Sequence, residues 1–168
     1  MTDPYDPRRA LYYFDLASYH DAEGRRVHWD GVAMEGVRDP TPEPGKLTCY
    51  FEVTPSKANH LGNLHGGVAA TLTDTLTSAA LSTISVYSHV SLSINIDYLN
   101  AFKPGATVRA VAEVVKPGKT IATMNMSFYD NKTNRLLAQA THIKYIQRDM
   151  GPIPEAIWFG QGGTIGKL

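Results

Sequence analysis

Across residues 58–96 the chain carries a single formal charge, Asp74, and the middle of that stretch reads as one long helix. The helix opens at Gly66-Gly67, runs to about Ser85, and is built almost wholly from Val, Ala, Leu, Thr and Ser. A helix this apolar on every side has no solvent face, so other elements must cover it nearly all round. The flanking segments can supply that cover, because they alternate with a period of two. Residues 46–53 set Leu47, Cys49, Phe51 and Val53 against polar neighbours. Residues 90–99 set Val90, Leu92, Ile94, Ile96 and Tyr98 against Ser91, Ser93, Asn95 and Asp97. Residues 106–115, 120–129 and 135–147 complete an antiparallel meander, with turn residues at 116–119 and 130–134. The expected fold is therefore α+β, an antiparallel sheet wrapped around one long central helix.

Before the helix, residues 8–20 read as a short amphipathic helix that docks through Leu11, Tyr12, Phe14, Leu16 and Tyr19. Residues 32–38 read as a first strand. Residues 39–45 read as a loop, because Pro40, Pro42 and Pro44 deny both helix and ladder. The chain then divides into an N-terminal extension (1–30), one domain (31–147) and a Pro- and Gly-rich tail (148–168) that runs free or over a neighbour.

At 168 residues the chain reads as one domain with a sizeable core. Its 16 basic and 16 acidic residues balance, which argues against nucleic acid or an anionic membrane as partner. The single Cys49 rules out an intrachain disulfide, fits a reducing compartment and reads as a packing residue. The first residues lack an apolar signal segment, and Asp3 and Asp6 argue against a transit peptide. The apolar stretch is too interrupted by Thr and Ser for a membrane span. The reading is an intracellular, cytoplasmic protein, with mitochondria and peroxisomes left open. The histidines at 20, 28, 60, 65, 89 and 142 are scattered without acids or thiols at ligand spacing, so no metal and no cofactor are expected.

Asp74 has no Lys or Arg near it in sequence, and an unpaired buried carboxylate is costly. Either it faces solvent or the carboxylate does chemistry. The unpaired N–H groups of a helix start attract developing negative charge. Gly66 and Gly67, without Cβ atoms, let a carbonyl come close, although a tight loop-to-helix turn explains them equally well. Asn59 can add an amide donor, and His65 serves as a cap or as a proton carrier. Asp74 follows Gly66 by eight residues, roughly 12 Å of helix. Both can act on one carbonyl only across a two-fold interface, so a working site demands at least a dimer.

The segment from Asn59 through His65-Gly66-Gly67 to Asp74 resembles the signature of hotdog-fold acyl-CoA thioesterases, in the branch of the phenylacetate-pathway and acyl-CoA thioesterase 13-like enzymes. The likeness extends through residues 90–99, 117–122 and 138–144 and covers residues 45–146. It implies hydrolysis of a fatty or aryl acyl-CoA by a homodimer or a dimer of dimers, with CoA as part of the substrate. It also implies site roles. Asn59 and Gly66 polarise the thioester carbonyl, and Asp74 of the other subunit activates water or attacks directly. Ser91 positions the water or the carboxylate. A carboxylate beside a dry acyl tunnel should have its pKa raised. Gly67 lies at the same helix start, and Gly118, Lys119 and Thr120 lie along the pantetheine arm. Lys119, Lys144 and Lys103 are candidates for the CoA phosphates, each with a surface role as the plain alternative. Thr75, beside Asp74, is a position that tunes substrate choice. Trp158 and Phe159 pack on a neighbour or cap the tunnel. A non-catalytic acyl-CoA or acyl-carrier binding protein of the same fold is the alternative. A hydratase ranks lower, because His65 has no acid at suitable spacing.

Overall fold

The long helix forms as α3 (Gly66–Ser82) in a computed structural model that describes residues 5–25 and 28–159. Its many hydroxyls are compatible with burial because they bond back into the helix. Thr73 donates to Ala69 O at 2.8 Å, Thr77 to Thr73 O at 2.7 Å and Ser78 to Asp74 O at 2.6 Å. The helix stops three residues earlier than expected. Thr83 Oγ1 donates to Ala80 O and accepts the Gly45 N–H, which ties the helix end to a turn of the sheet.

Six strands cover it: β1 (Arg38–Glu43), β2 (Lys46–Glu52), β3 (His89–Tyr98), β4 (Thr107–Pro117), β5 (Ile121–Asp130) and β6 (Leu136–Ile146). They form one antiparallel sheet in the order β1-β2-β4-β5-β6-β3. The helix-facing residues are Leu47, Cys49 and Phe51 of β2, Val108, Ala110 and Ala112 of β4, Met124, Met126 and Phe128 of β5, and Ala138 and Ala140 of β6. The alanines leave room for the helix to approach, and Leu72 and Leu76 fill it. Cys49 is fully buried, which pushes its thiol pKa up to about 12 and makes it a packing residue.

Four expectations change. The meander holds only for β4, β5 and β6, because β3 pairs with β6 and the chain then crosses to the middle of the sheet. Alternation reports a half-buried strand but not its neighbour. Residues 32–38 are not a strand: helix α2 (Trp29–Met34) occupies most of them, and the division drawn after residue 30 falls inside it. Residues 39–45 are not simply a loop, since β1 carries Pro40 and Pro42. Proline is tolerated there because β1 is an edge strand, with one side that needs no N–H. The tail as far as Phe159 folds back on its own chain. In α4 (Glu155–Phe159) Trp158 meets Tyr12 edge-on at 5.2 Å, and the Arg8 guanidinium covers Phe159 at 4.4 Å. The remainder of the tail, residues 160–168, lies outside the described residues.

Tyr12 and Arg8 belong to helix α1 (Arg8–Ser18), which covers the side of α3 that the sheet leaves open. Its Arg9 donates to Ser82 O at 3.3 Å, and its Tyr13 hydroxyl lies 3.2 Å from Ser82 Oγ. Among the described residues no helix is long and apolar enough to cross a membrane. Among the described residues nothing pairs with the opposite sheet edge, β3. Val90 is 44% exposed, Leu92 57% and Tyr98 54%, which is unusual for apolar strand residues.

Candidate active site

Asp74 lies at mid-helix on the face of α3 that looks toward the end of β3 and β6, and it is not alone there. Ser91 Oγ of β3 donates to Asp74 Oδ1 at 2.9 Å. Lys144 of β6, buried, donates to the same oxygen at 3.1 Å and to Ser91 Oγ at 3.0 Å. His142 Nε2 lies 3.0 Å from Ser91 Oγ and 3.6 Å from Asp74 Oδ1, while its Nδ1 is 2.6 Å from Thr77 Oγ1. Ser91 gives its one proton to Asp74 and Thr77 gives its one proton to Thr73 O, so both hydroxyl oxygens face His142 as acceptors, and a neutral imidazole has one N–H to share between them. Both hydrogen bonds to Asp74 fall on Oδ1. Among the described residues no hydrogen bond reaches Oδ2, and the side chain is 46% exposed to a cleft of about 310 Å³.

The charges follow from the packing. Burial raises the Asp74 pKa, but the Lys144 charge and the bonds from Ser91 and Lys144 outweigh it, so the net shift is downward. The expected rise for a carboxylate in a dry tunnel is therefore reversed by a cation 70 positions away in sequence. Burial and the Lys144 charge lower His142 to about 4, so it is neutral near pH 7. Lys144 is itself lowered by burial, against the pull of Asp74. Lys144, expected near CoA phosphates, is thus directed at the carboxylate.

The helix start forms a second cleft, of about 440 Å³, lined by Asn59, Gly66, Tyr98 and Phe102 among others. His65 caps the helix, its Nδ1 accepting the Gly67 N–H at 2.9 Å. Among the described residues the Gly66 N–H makes no hydrogen bond within the chain. Asn59 Oδ1 accepts from the N–H groups of Leu61 at 2.9 Å and Asn63 at 3.2 Å, which fixes the carboxamide in its loop. The Tyr98 hydroxyl donates to Gly66 O at 2.8 Å, and a Cβ on Gly66 would lie 3.1 Å from that hydroxyl. A side chain at position 66 would press on that hydroxyl.

Asn59, Gly66, Gly67 and His65 therefore gather at one end of β3, and Asp74, Ser91 and Lys144 at the other; the two clefts share no lining residue. Gly118, Lys119 and Thr120 form the β4–β5 turn at the Asp74 end of the sheet. There a Cβ on Gly118 would collide with Ile121 O at 2.0 Å, and Arg148 donates to Lys119 O. His142 and Tyr98 join the site without having been singled out for it. For His142 a signal existed: Ala138, Ala140, His142, Lys144 and Ile146 share the inward parity of one strand, and a His and a Lys on a buried face need partners.

Residues 61–136 match the thioesterase superfamily. The Homo sapiens acyl-coenzyme A thioesterase 13 is 38% identical over 104 residues, which span 61% of this chain and 74% of that one. The crystal structure of zebra fish thioesterase superfamily member 2 superposes with a TM-score of 0.73 at 28% identity, covering 82% of this chain and 94% of that one. A hypothetical thioesterase protein from Streptococcus pneumoniae TIGR4, crystallised with coenzyme A, superposes with a TM-score of 0.68 at 25% identity, covering 76% and 96%.

Proposed function

From the premise that this chain belongs to the thioesterase superfamily, beside the acyl-coenzyme A thioesterase 13 proteins, and is a thioester hydrolase of the hotdog fold, we propose its substrate class, mechanism and assembly. The substrate is a fatty or aryl acyl-CoA. The observation that carries the mechanism is the division of the site between the two ends of an uncovered edge strand. Antiparallel pairing of β3 with β3 of a second copy brings the Ser91 end of one strand beside the Tyr98 end of the other. Asp74 of one protomer then faces the free Gly66 N–H of its partner, which the spacing along α3 forbids within one chain.

In that composite site the thioester oxygen accepts from the Gly66 N–H and the Asn59 amide. Asp74, ionised and held by Oδ1, takes a proton from water through Oδ2 as the water oxygen bonds to the carbonyl carbon. Negative charge collects on the thioester oxygen, where the helix start stabilises it. When the carbonyl re-forms, the C–S bond breaks and CoA leaves as a thiolate, a leaving group that needs little acid help. Ser91 and Lys144 hold the carboxylate, and neutral His142 holds Ser91.

The test is CoA release, followed with a thiol reagent, across a panel of fatty and aryl acyl-CoAs. Asp74→Asn should keep the circular dichroism spectrum and lose activity by ~10²-fold or more. Full activity in that variant would sink the mechanism, and binding without CoA release by the unaltered protein would favour a binding module.

A further inference from the structure

We propose that Asp30, on the N-terminal helix α2, determines which acyl groups enter: the cleft beside Asp74 takes an acyl chain that ends in a neutral hydrogen-bond donor and rejects one that ends in a carboxylate. This rests on the thioesterase reading, since an acyl group whose carbonyl meets Asp74 has that cleft directly beyond it.

The N-terminal segment builds one wall. Trp29 Nε1 donates to Thr71 Oγ1 at 2.9 Å, which seats α2 against α3 one turn before Asp74. Asp30, in the first turn of α2, thereby faces the cleft, as do Tyr13 of α1 and His89 and Val90 of β3. Tyr13 and Val90 supply apolar surface.

The hydroxyls of this wall spend their protons within the protein. Thr75 Oγ1 directs its proton at Thr71 O, 3.0 Å away, and lies 3.3 Å from Asp30 Oδ1, while Ser78 gives its proton to Asp74 O. The Asp30 carboxylate forms no ion pair among the described residues, and His89 Nδ1 is buried there without a hydrogen-bond partner. Lys144 is committed to Asp74. Burial lowers His89 to about 3 and His142 to about 4, so neither adds positive charge near neutral pH. The lining thus sets two acidic side chains, Asp30 and Asp74, against one Lys144.

Three chain ends fare differently in such a slot. A methyl end strips water from Asp30 and returns nothing. A carboxylate end adds a like charge beside two carboxylates, Asp30 and Asp74. A hydroxyl gives its proton to Asp30 and restores what desolvation removes, an interaction with a charged group.

The experiment uses matched acyl-CoAs of four, six and eight carbons that end in a methyl, hydroxyl or carboxylate, with kcat/KM read from CoA release. At the length that spans the cleft, the hydroxyl end should exceed the methyl end by about tenfold or more, with the carboxylate end slowest. Asp30→Leu should reverse the order of methyl and hydroxyl, and Asp30→Asn should relax the rejection of carboxylate, with circular dichroism confirming the fold of both. No CoA release from any substrate would overturn the thioesterase reading and carry this inference with it. CoA release with equal kcat/KM for methyl and hydroxyl ends at every length, or an order unchanged by Asp30→Leu, would overturn the inference alone.

Discussion

Asp74 is held by one oxygen and open at the other, and its ionisation is set by a contest that Lys144 decides. Burial favours the neutral acid, while the Lys144 charge and the bonds to Oδ1 favour the carboxylate and prevail. The carboxylate therefore stays ionised well below neutral pH, and its protonation removes no activity until the medium is strongly acidic. Lys144→Met takes away the main opposing charge and leaves the burial in place. The Asp74 pKa then rises, and the acid limb of the kcat/KM profile should move to higher pH, with more activity retained at pH 8 than in Asp74→Asn. A profile whose acid limb does not move would show that ionised Asp74 is not the working species. Asp74 was legible in the sequence because it is the one formal charge in a long neutral stretch. Its partner was not, because Lys144 lies on the last strand and only the pairing of Ser91 with Lys144 across β3 and β6 brings them together.

The same pairing joins three elements at one imidazole. His142 of β6 meets Thr77 of α3 on one ring nitrogen and Ser91 of β3 on the other, with its side chain fully buried. Its folded-state pKa of about 4 lies below the ordinary 6.5, and that of His89, at the start of β3, is about 3. Well above pH 6.5 both histidines are neutral folded or unfolded, and their titration does not affect stability. As pH falls from 6.5 toward 4 the unfolded chain binds protons that the folded chain refuses, so stability is lost across that window. The carboxylates with lowered pKa values, Asp6, Asp21, Asp74 and Asp130, give up their share only below the usual 3.8, so the upper window belongs to the histidines. Thermal unfolding followed from pH 7 to pH 4 should show a falling Tm, and His142→Asn should flatten the fall. A constant Tm between pH 7 and pH 5 would contradict it. At this scale the sequence read well where periodicity is strong, as in α3 and the strands of residues 46–53 and 120–129. It misread β1 because proline argues against a ladder unless the strand is known to be an edge, and edge position is a property of the whole sheet.

The sheet has two edges, and they are built differently. β1 carries Pro40 and Pro42, which remove ladder donors and discourage another strand from adding there. β3 has no proline and exposes Val90, Leu92 and Tyr98. It is the edge suited to a second copy. Ser91 and Tyr98 lie seven positions apart, roughly 23 Å of extended strand, so two copies paired through the middle of β3 form two composite sites at opposite ends of the seam. Each site takes Asp74 from one chain and Gly66 from the other, which makes the assembly testable by complementation. Asp74→Asn removes one half of each site. Gly66→Val removes the other, because a branched side chain at this position meets the Tyr98 hydroxyl and blocks the approach to the N–H. Either variant alone should be nearly inactive. When the two are unfolded together in equal amounts and refolded, half of the dimers are mixed, and each mixed dimer holds one intact site and one doubly altered site. CoA release should then recover to about a quarter of the unaltered protein's activity, while sedimentation shows the same assembly throughout. A mixture no more active than its components would place each site within a single chain, and the pairing of β3 edges would lose its catalytic role.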